Sequence, residues 1–129
     1  MSKNKKLDFS AIHNALKSLK NAIEPPPLND RERDGAIQRF EYTFELAWKT
    51  AKKVLHLNGI ESQSPKTVIR DLLQQGWITD GEMWMAFLDA RNESTHTYEE
   101  KTAQEVFEKS KAFLPECEKL IQRLVKEVK

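Results

Sequence analysis

The run TAQEVFEKSKAFLPECEKLIQRLVKEV, residues 102–128, decides the fold. Within it Ala103, Phe107, Ser110, Leu114, Cys117, Ile121, Leu124 and Val128 follow one another at spacings of 4, 3, 4, 3, 4, 3 and 4. A repeat of about 3.5 residues is the seam of a helix packed at a shallow angle on nearly antiparallel neighbours. Val106, Phe113 and Leu120 widen the face beyond a two-stranded zipper, so the neighbours are predicted to be helices of the same chain. Pro115 removes one backbone hydrogen bond and predicts a kink rather than an end, because the apolar rhythm continues past it. Cys117 lies on the seam and reads as a small core residue, not a nucleophile.

Working outward, the same periodicity recurs. Phe9, Ile12, Leu16, Leu19 and Ile23 predict an amphipathic helix over Leu7–Ile23, with His13 beside its apolar stripe. Pro25-Pro26-Pro27 ends it and reads as a stiff connector between antiparallel helices rather than a ligand for a proline-reading domain. A second helix is predicted from Asn29 or Asp30 to Leu57, closed by Asn58-Gly59. Its apolar face is Ile37, Phe40, Phe44, Ala47, Trp48, Ala51 and Leu55; at 1.5 Å per residue it spans about 40 Å. Asp34, Gln38, Glu41, Glu45 and Lys52 form a polar strip along one edge of that face. Ser64-Pro65 opens a short helix that stops at Gly76. Thr79 and Glu82 have capping-box spacing and predict the start of a fourth long segment, whose buried side is Trp84, Phe87 and Leu88. The reading is all-α: an up-and-down four-helix bundle with one extra short helix.

Bulk properties agree. The chain has 129 residues, 39% hydrophobic and 32% charged, with 4 Gly and 5 Pro, a helix-forming composition for one domain over 1–129. Residues 1–6 are basic and predicted to be a flexible flank; no apolar signal region follows them. Cys117 is the single cysteine, so no intrachain disulfide forms, which fits a reducing compartment. No run reaches the ~18 apolar residues of a membrane span. A cytoplasmic location without a membrane partner is expected. With 21 basic and 20 acidic residues the net charge is +1, so any nucleic-acid contact must be local, short or shared with a partner.

Function points to DARNESTHTYEE, residues 89–100. Arg91 comes seven residues after Trp84 and three after Leu88, on the buried side of its helix. A polar run holding His96 and Tyr98 follows. The three histidines lie far apart without zinc spacing, and there is neither a glycine-rich phosphate loop nor a nucleophile elbow. No metal and no cofactor is expected. A guanidinium grips phosphate bidentately, and an imidazole moves protons near neutral pH. Together they are the minimum for metal-independent RNA cleavage. On a straight helix Arg91 and His96 would point about 140° apart, so the polar run is predicted to break the helix and let His96 swing back. The strip acids Glu41 and Glu45 have two readings. They form a solvated edge with Glu45 paired to Lys49, or they meet Arg91. A capped helix end with Arg91 in a structural ion pair stays open beside the catalytic reading.

Arg91-Asn92-x-x-x-His96-x-Tyr98 resembles the Arg-x4-His-x-Tyr signature of HEPN domains, in the branch encoded beside small MNT-type nucleotidyltransferases. Arg33–Lys49, Trp84 and Asp89–Asn92 resemble the same branch, known as nucleotidyltransferase substrate-binding proteins, over nearly the whole chain. The resemblance implies a homodimer whose two Arg–His motifs face one cleft, and a complex with an MNT nucleotidyltransferase. In toxin–antitoxin members (type VII) the HEPN protein is an RNase toxin, disarmed when its partner antitoxin transfers AMP to the tyrosine. Carried over, Arg91 would bind the scissile phosphate and Asn92 would support the site, with Glu41 and Glu45 beside it. His96 would be the acid/base group and Tyr98 the modified hydroxyl, with RNA as substrate. The other reading of the family makes the bundle a non-catalytic substrate-binding subunit of a two-component nucleotidyltransferase. In neither case is the chain itself a nucleotidyltransferase.

Overall fold

The computed structural model describes residues 7–128; the expected flexible flank, 1–6, lies outside the described residues. Five helices form: α1 (Ser10–Ile23), α2 (Asp30–Leu57), α3 (Pro65–Gln75), α4 (Gly81–Glu93) and α5 (Glu100–Glu127), with one 3₁₀ turn, Ser94–His96, between the last two. No strand occurs among the described residues.

Local chemistry sets most boundaries. Asn29 caps α2 by accepting the Glu32 N–H at 2.9 Å. Ser64 and Thr67 close a reciprocal capping box ahead of Pro65 at the start of α3. Gly76, at φ 75°, ends α3 in a left-handed conformation that a side chain would oppose. Two predicted starts shift. α1 begins at Ser10 rather than Leu7: the Asp8 carboxylate takes the Ser10 N–H (2.8 Å) and hydroxyl (2.6 Å) in a local turn, and Phe9 is the N-cap residue. α4 is capped by Asp80, which accepts the Met83 N–H at 2.9 Å, and not by Thr79. Aspartate is the stronger cap, so the helix starts one residue later than the Thr79/Glu82 spacing suggested.

Side-chain contacts give the helix directions. Ser18 meets Arg39 (3.0 Å) and Tyr42 (2.9 Å), while Thr43 reaches the Ala15 carbonyl at 3.3 Å; numbers fall in α1 as they rise in α2, so these helices are antiparallel. Glu45 pairs with Arg91 and Glu41 with Ser94, so α2 and α4 are antiparallel too. Arg33 meets Glu100 and Asn58 donates to the Glu127 carbonyl (2.9 Å), so α2 and α5 run parallel, tied at both ends. The four long segments therefore alternate up and down, with α3 in the α2–α4 connection. This is the predicted bundle.

Phe113 of α5 sits at its centre. Its ring lies 5.2 Å from Phe40, 5.3 Å from Phe87, 5.7 Å from Trp84 and 5.8 Å from Phe44, three of the four edge-on. Edge-to-face pairs add about 0.5–1.5 kcal/mol beyond area burial. The predicted seam is buried from Ala103 to Leu124, including Cys117, and α5 continues through Pro115. Trp77 and Ile78 are also buried in the α3–α4 connection.

Candidate functional site

The site is built where the C-terminal end of α4 crosses the middle of α2. Arg91 is half-buried, and its Nη2 donates to Glu45 Oε1 while Nη1 donates to Asn92 Oδ1 at 3.2 Å. Glu45 also accepts from Lys49 Nζ at 3.4 Å. Both readings of the strip are thus present at one carboxylate. Burial pushes the Glu45 carboxyl up. The Trp48 indole, the Arg91 guanidinium and the Lys49 ammonium outweigh it, and hold its pKa below the ordinary carboxylate value. Trp48 Nε1 is buried beside this carboxylate but closes no well-formed hydrogen bond.

One turn along, Ser94 is buried, and its hydroxyl faces both Glu41 Oε2 and the Arg91 carbonyl (2.6 Å). A hydroxyl has one proton, so the two acceptors share it. By capping the Arg91 carbonyl and meeting α2, Ser94 ends α4 and turns the chain into the 3₁₀ segment. The predicted break therefore falls after Glu93. His96, at the end of that turn, is exposed. Its Nδ1 and the Tyr98 hydroxyl share a 3.1 Å hydrogen bond, with the rings edge-on at 5.7 Å. Tyr98 is 79% exposed. Two clusters result: Arg91 with Asn92, Glu45, Glu41 and Ser94, and His96 with Tyr98. No hydrogen bond joins Arg91 to His96.

Two residues that lie in stretches singled out in the sequence, but without a role of their own there, hold the far side of the turn. Arg33, 8% exposed, donates to both oxygens of Glu100, from Nη1 at 2.7 Å and Nη2 at 3.2 Å. Arg33 stands in the apolar rhythm of α2 (33, 37, 40, 44), the same signal that exposed Arg91. Ser94 left no such trace. Among the described residues no three His, Cys, Asp or Glu side chains gather as a metal site, and no helix is long and apolar enough to cross a membrane.

The fold and site define a helical bundle that presents an Arg–Asn pair and a His–Tyr pair at one helix end. Residues 7–126 match the family described as nucleotidyltransferase substrate binding protein like, and the chain belongs to that family. A Haemophilus influenzae (strain Rd) protein named "Probable ribonuclease HepT" is 30% identical over 135 residues, covering 92% of each chain. A crystal structure from Thermus thermophilus superposes with a TM-score of 0.82 at 37% identity, covering 88% of this chain and 98% of that one. A second structure, from Haemophilus influenzae, superposes at 0.80 with 28% identity, covering 91% and 98%. It is described as revealing the fold of a substrate binding domain of a nucleotidyltransferase.

Proposed function

We propose that the chain is a HEPN-type RNase toxin of a toxin–antitoxin pair, cytoplasmic, acting as a homodimer and silenced by AMP transfer to Tyr98 from an MNT nucleotidyltransferase. The observation that carries the reading is the hydrogen bond between His96 Nδ1 and the Tyr98 hydroxyl. In cleavage, His96 takes the proton of a ribose 2′-hydroxyl and the oxygen attacks the adjacent phosphorus. The bond to the 5′-oxygen breaks as that oxygen takes up the proton held by the imidazolium, leaving a 2′,3′-cyclic phosphate and a 5′-hydroxyl. Arg91 offsets the charge that develops on the phosphoryl oxygens; Glu45 and Asn92 hold it, and Glu41 fixes Ser94 beside it. In silencing, the Tyr98 oxygen attacks the α-phosphorus of ATP, pyrophosphate leaves, and the phenol proton passes to a base such as the adjoining imidazole. The product carries a bulky anion two residues from the acid/base group. Because Arg91 and His96 are not joined within one chain, a cleft shared by two copies would bring the histidine of one near the arginine of the other.

The test is single-turnover cleavage of labelled RNA in EDTA by the chain and by His96→Ala, with intact-mass spectrometry after incubation with the partner and ATP. His96→Ala is expected to lose about 100-fold or more, and AMP increments are expected to vanish in Tyr98→Phe. If RNA is equally intact with both proteins, the toxin reading fails. A second reading, a non-catalytic substrate-binding subunit, is favoured by the Arg91–Glu45 pair, which already occupies the guanidinium. It predicts tight partner binding, untouched RNA, and loss of transferase activity in Arg91→Ala.

A further inference from the structure

A second group of cations lies across α2 from Arg91, in the groove between α1 and the first half of α2. The groove measures about 780 Å³, within the range of ligand pockets. Lys17, Arg31 and Arg39 line it with Ser18, Asn14 and Asn21. Helix α1 carries Lys17 and Lys20 and no acid. None of Lys17, Arg31 and Arg39 is ion-paired to a carboxylate among the described residues. The acid on the wall, Glu32, has one carboxylate oxygen taken by the Leu28 N–H at 2.8 Å.

Arg39 is held in place without an acid. Its Nε donates to Ser18 Oγ at 3.0 Å and its Nη1 to the Gly35 carbonyl at 2.9 Å, while Ser18 also meets the Tyr42 hydroxyl at 2.9 Å. A half-buried guanidinium ordinarily finds a carboxylate; here neutral oxygens fix two nitrogens, and Nη2 has no protein partner among the described residues. Gly35 makes the seat. A Cβ at that position would stand 3.2 Å from Arg39 Nη1, closer than such contacts normally come. A glycine inside a helix is unfavourable relative to alanine, so a residue that costs the helix makes room for the arginine.

We infer that this groove is a second phosphate-binding site, which holds backbone phosphates of the RNA strand outside the cleavage point. The inference rests on the RNase reading above. A chain of net charge +1 has no general attraction for nucleic acid, so affinity must come from local unpaired cations. This groove supplies three, with serine and asparagine side chains as neutral donors. Pro25, Pro26 and the 87%-exposed Leu28 give an apolar rim against which ribose or base can lie.

The test measures binding of a fluorescein-labelled 12-nucleotide single-stranded RNA by anisotropy over a salt series, in a His96→Ala background so that nothing is cut. Two variants are compared with that parent. Lys17→Gln/Arg31→Gln removes two exposed cations, and Arg39→Gln removes the third. Each lost phosphate contact lowers the salt slope by about 0.7 for a single strand, so the double variant is expected to lose about 1.4. Arg39→Gln is expected to weaken binding severalfold with the helix content intact by circular dichroism. If the parent binds RNA and both variants match it in affinity and slope, the inference is overturned and the RNase reading stands. If the parent binds ATP or inorganic phosphate through these residues but not RNA, the RNA assignment is overturned and the RNase reading falls with it. If RNA binding is unchanged but capture of the purified nucleotidyltransferase is lost, the groove serves a protein and the inference fails.

Discussion

At the scale of single residues, Glu45 is the carboxylate that links two helices at the site. It joins the end of α4 to α2 through Arg91 and its own helix through Lys49. Its pKa is depressed in the folded chain, so its contribution to stability is present above the unfolded carboxylate pKa, about 4.3, and is lost as pH falls through the lower folded value. Glu45→Gln is expected to remove that part of the acid unfolding limb and to reduce neutral-pH stability by about 1 kcal/mol or less, as read by denaturant melts between pH 3 and 7. Cys117 makes a contrasting case. Burial pushes its thiol well above the ordinary range. It should therefore resist a thiol reagent such as dithionitrobenzoate in native buffer and react fully in denaturant. Fast native labelling would show that the α5 seam opens. Both residues were legible in the sequence in different degrees. Cys117 fell on a periodic seam, so its burial followed from spacing alone. The partner of Glu45 depended on how two helices cross, and periodicity within one helix carries no information about that crossing.

At the scale of elements, the turn between α4 and α5 is held at both ends. Ser94 fastens one side to Glu41 and Glu100 fastens the other to Arg33. Arg33→Ala is expected to leave the bundle folded but loosen the start of α5. Hydrogen exchange should report this as faster exchange around residues 98–103 and little change in α1 or α3. Equal protection in both proteins would mean the clamp is idle. The α4 start gives a second case. Asp80→Ala should cost about 1 kcal/mol and Thr79→Ala close to nothing, measured by urea unfolding. The sequence offered Thr79 through a spacing pattern. The structure chose the stronger acceptor one residue on, and such single-residue competitions are where local patterns lose resolution.

At the scale of the whole molecule, the up-and-down order follows from four amphipathic segments, short connections and a seam that runs the length of α5. That much was written in the sequence, because hydrophobic periodicity is a property of the chain alone. That α2 packs directly against α5, tied at both ends, was not, because it depends on how the helices are arranged around the core. The aromatic centre ties these helices into one cooperative unit. Phe113→Ala removes the ring that four others touch and should cost about 3–5 kcal/mol, a large share of a domain stability of about 5–15 kcal/mol. Calorimetry should show one transition at a much lower temperature.

The short mount between Ser94 and Glu100 has a further consequence under the proposed silencing. A nucleotide that visited the His96 surroundings freely would come and go with its concentration in the cell. One attached at Tyr98 is present at an effective concentration of about millimolar or above, set by the length and stiffness of its tether. Because this tether is pinned at both ends, the blocking group has little room to drift away. A weak ligand thereby becomes a near-permanent occupant whose grip does not depend on nucleotide supply, and only cutting the phosphodiester releases it.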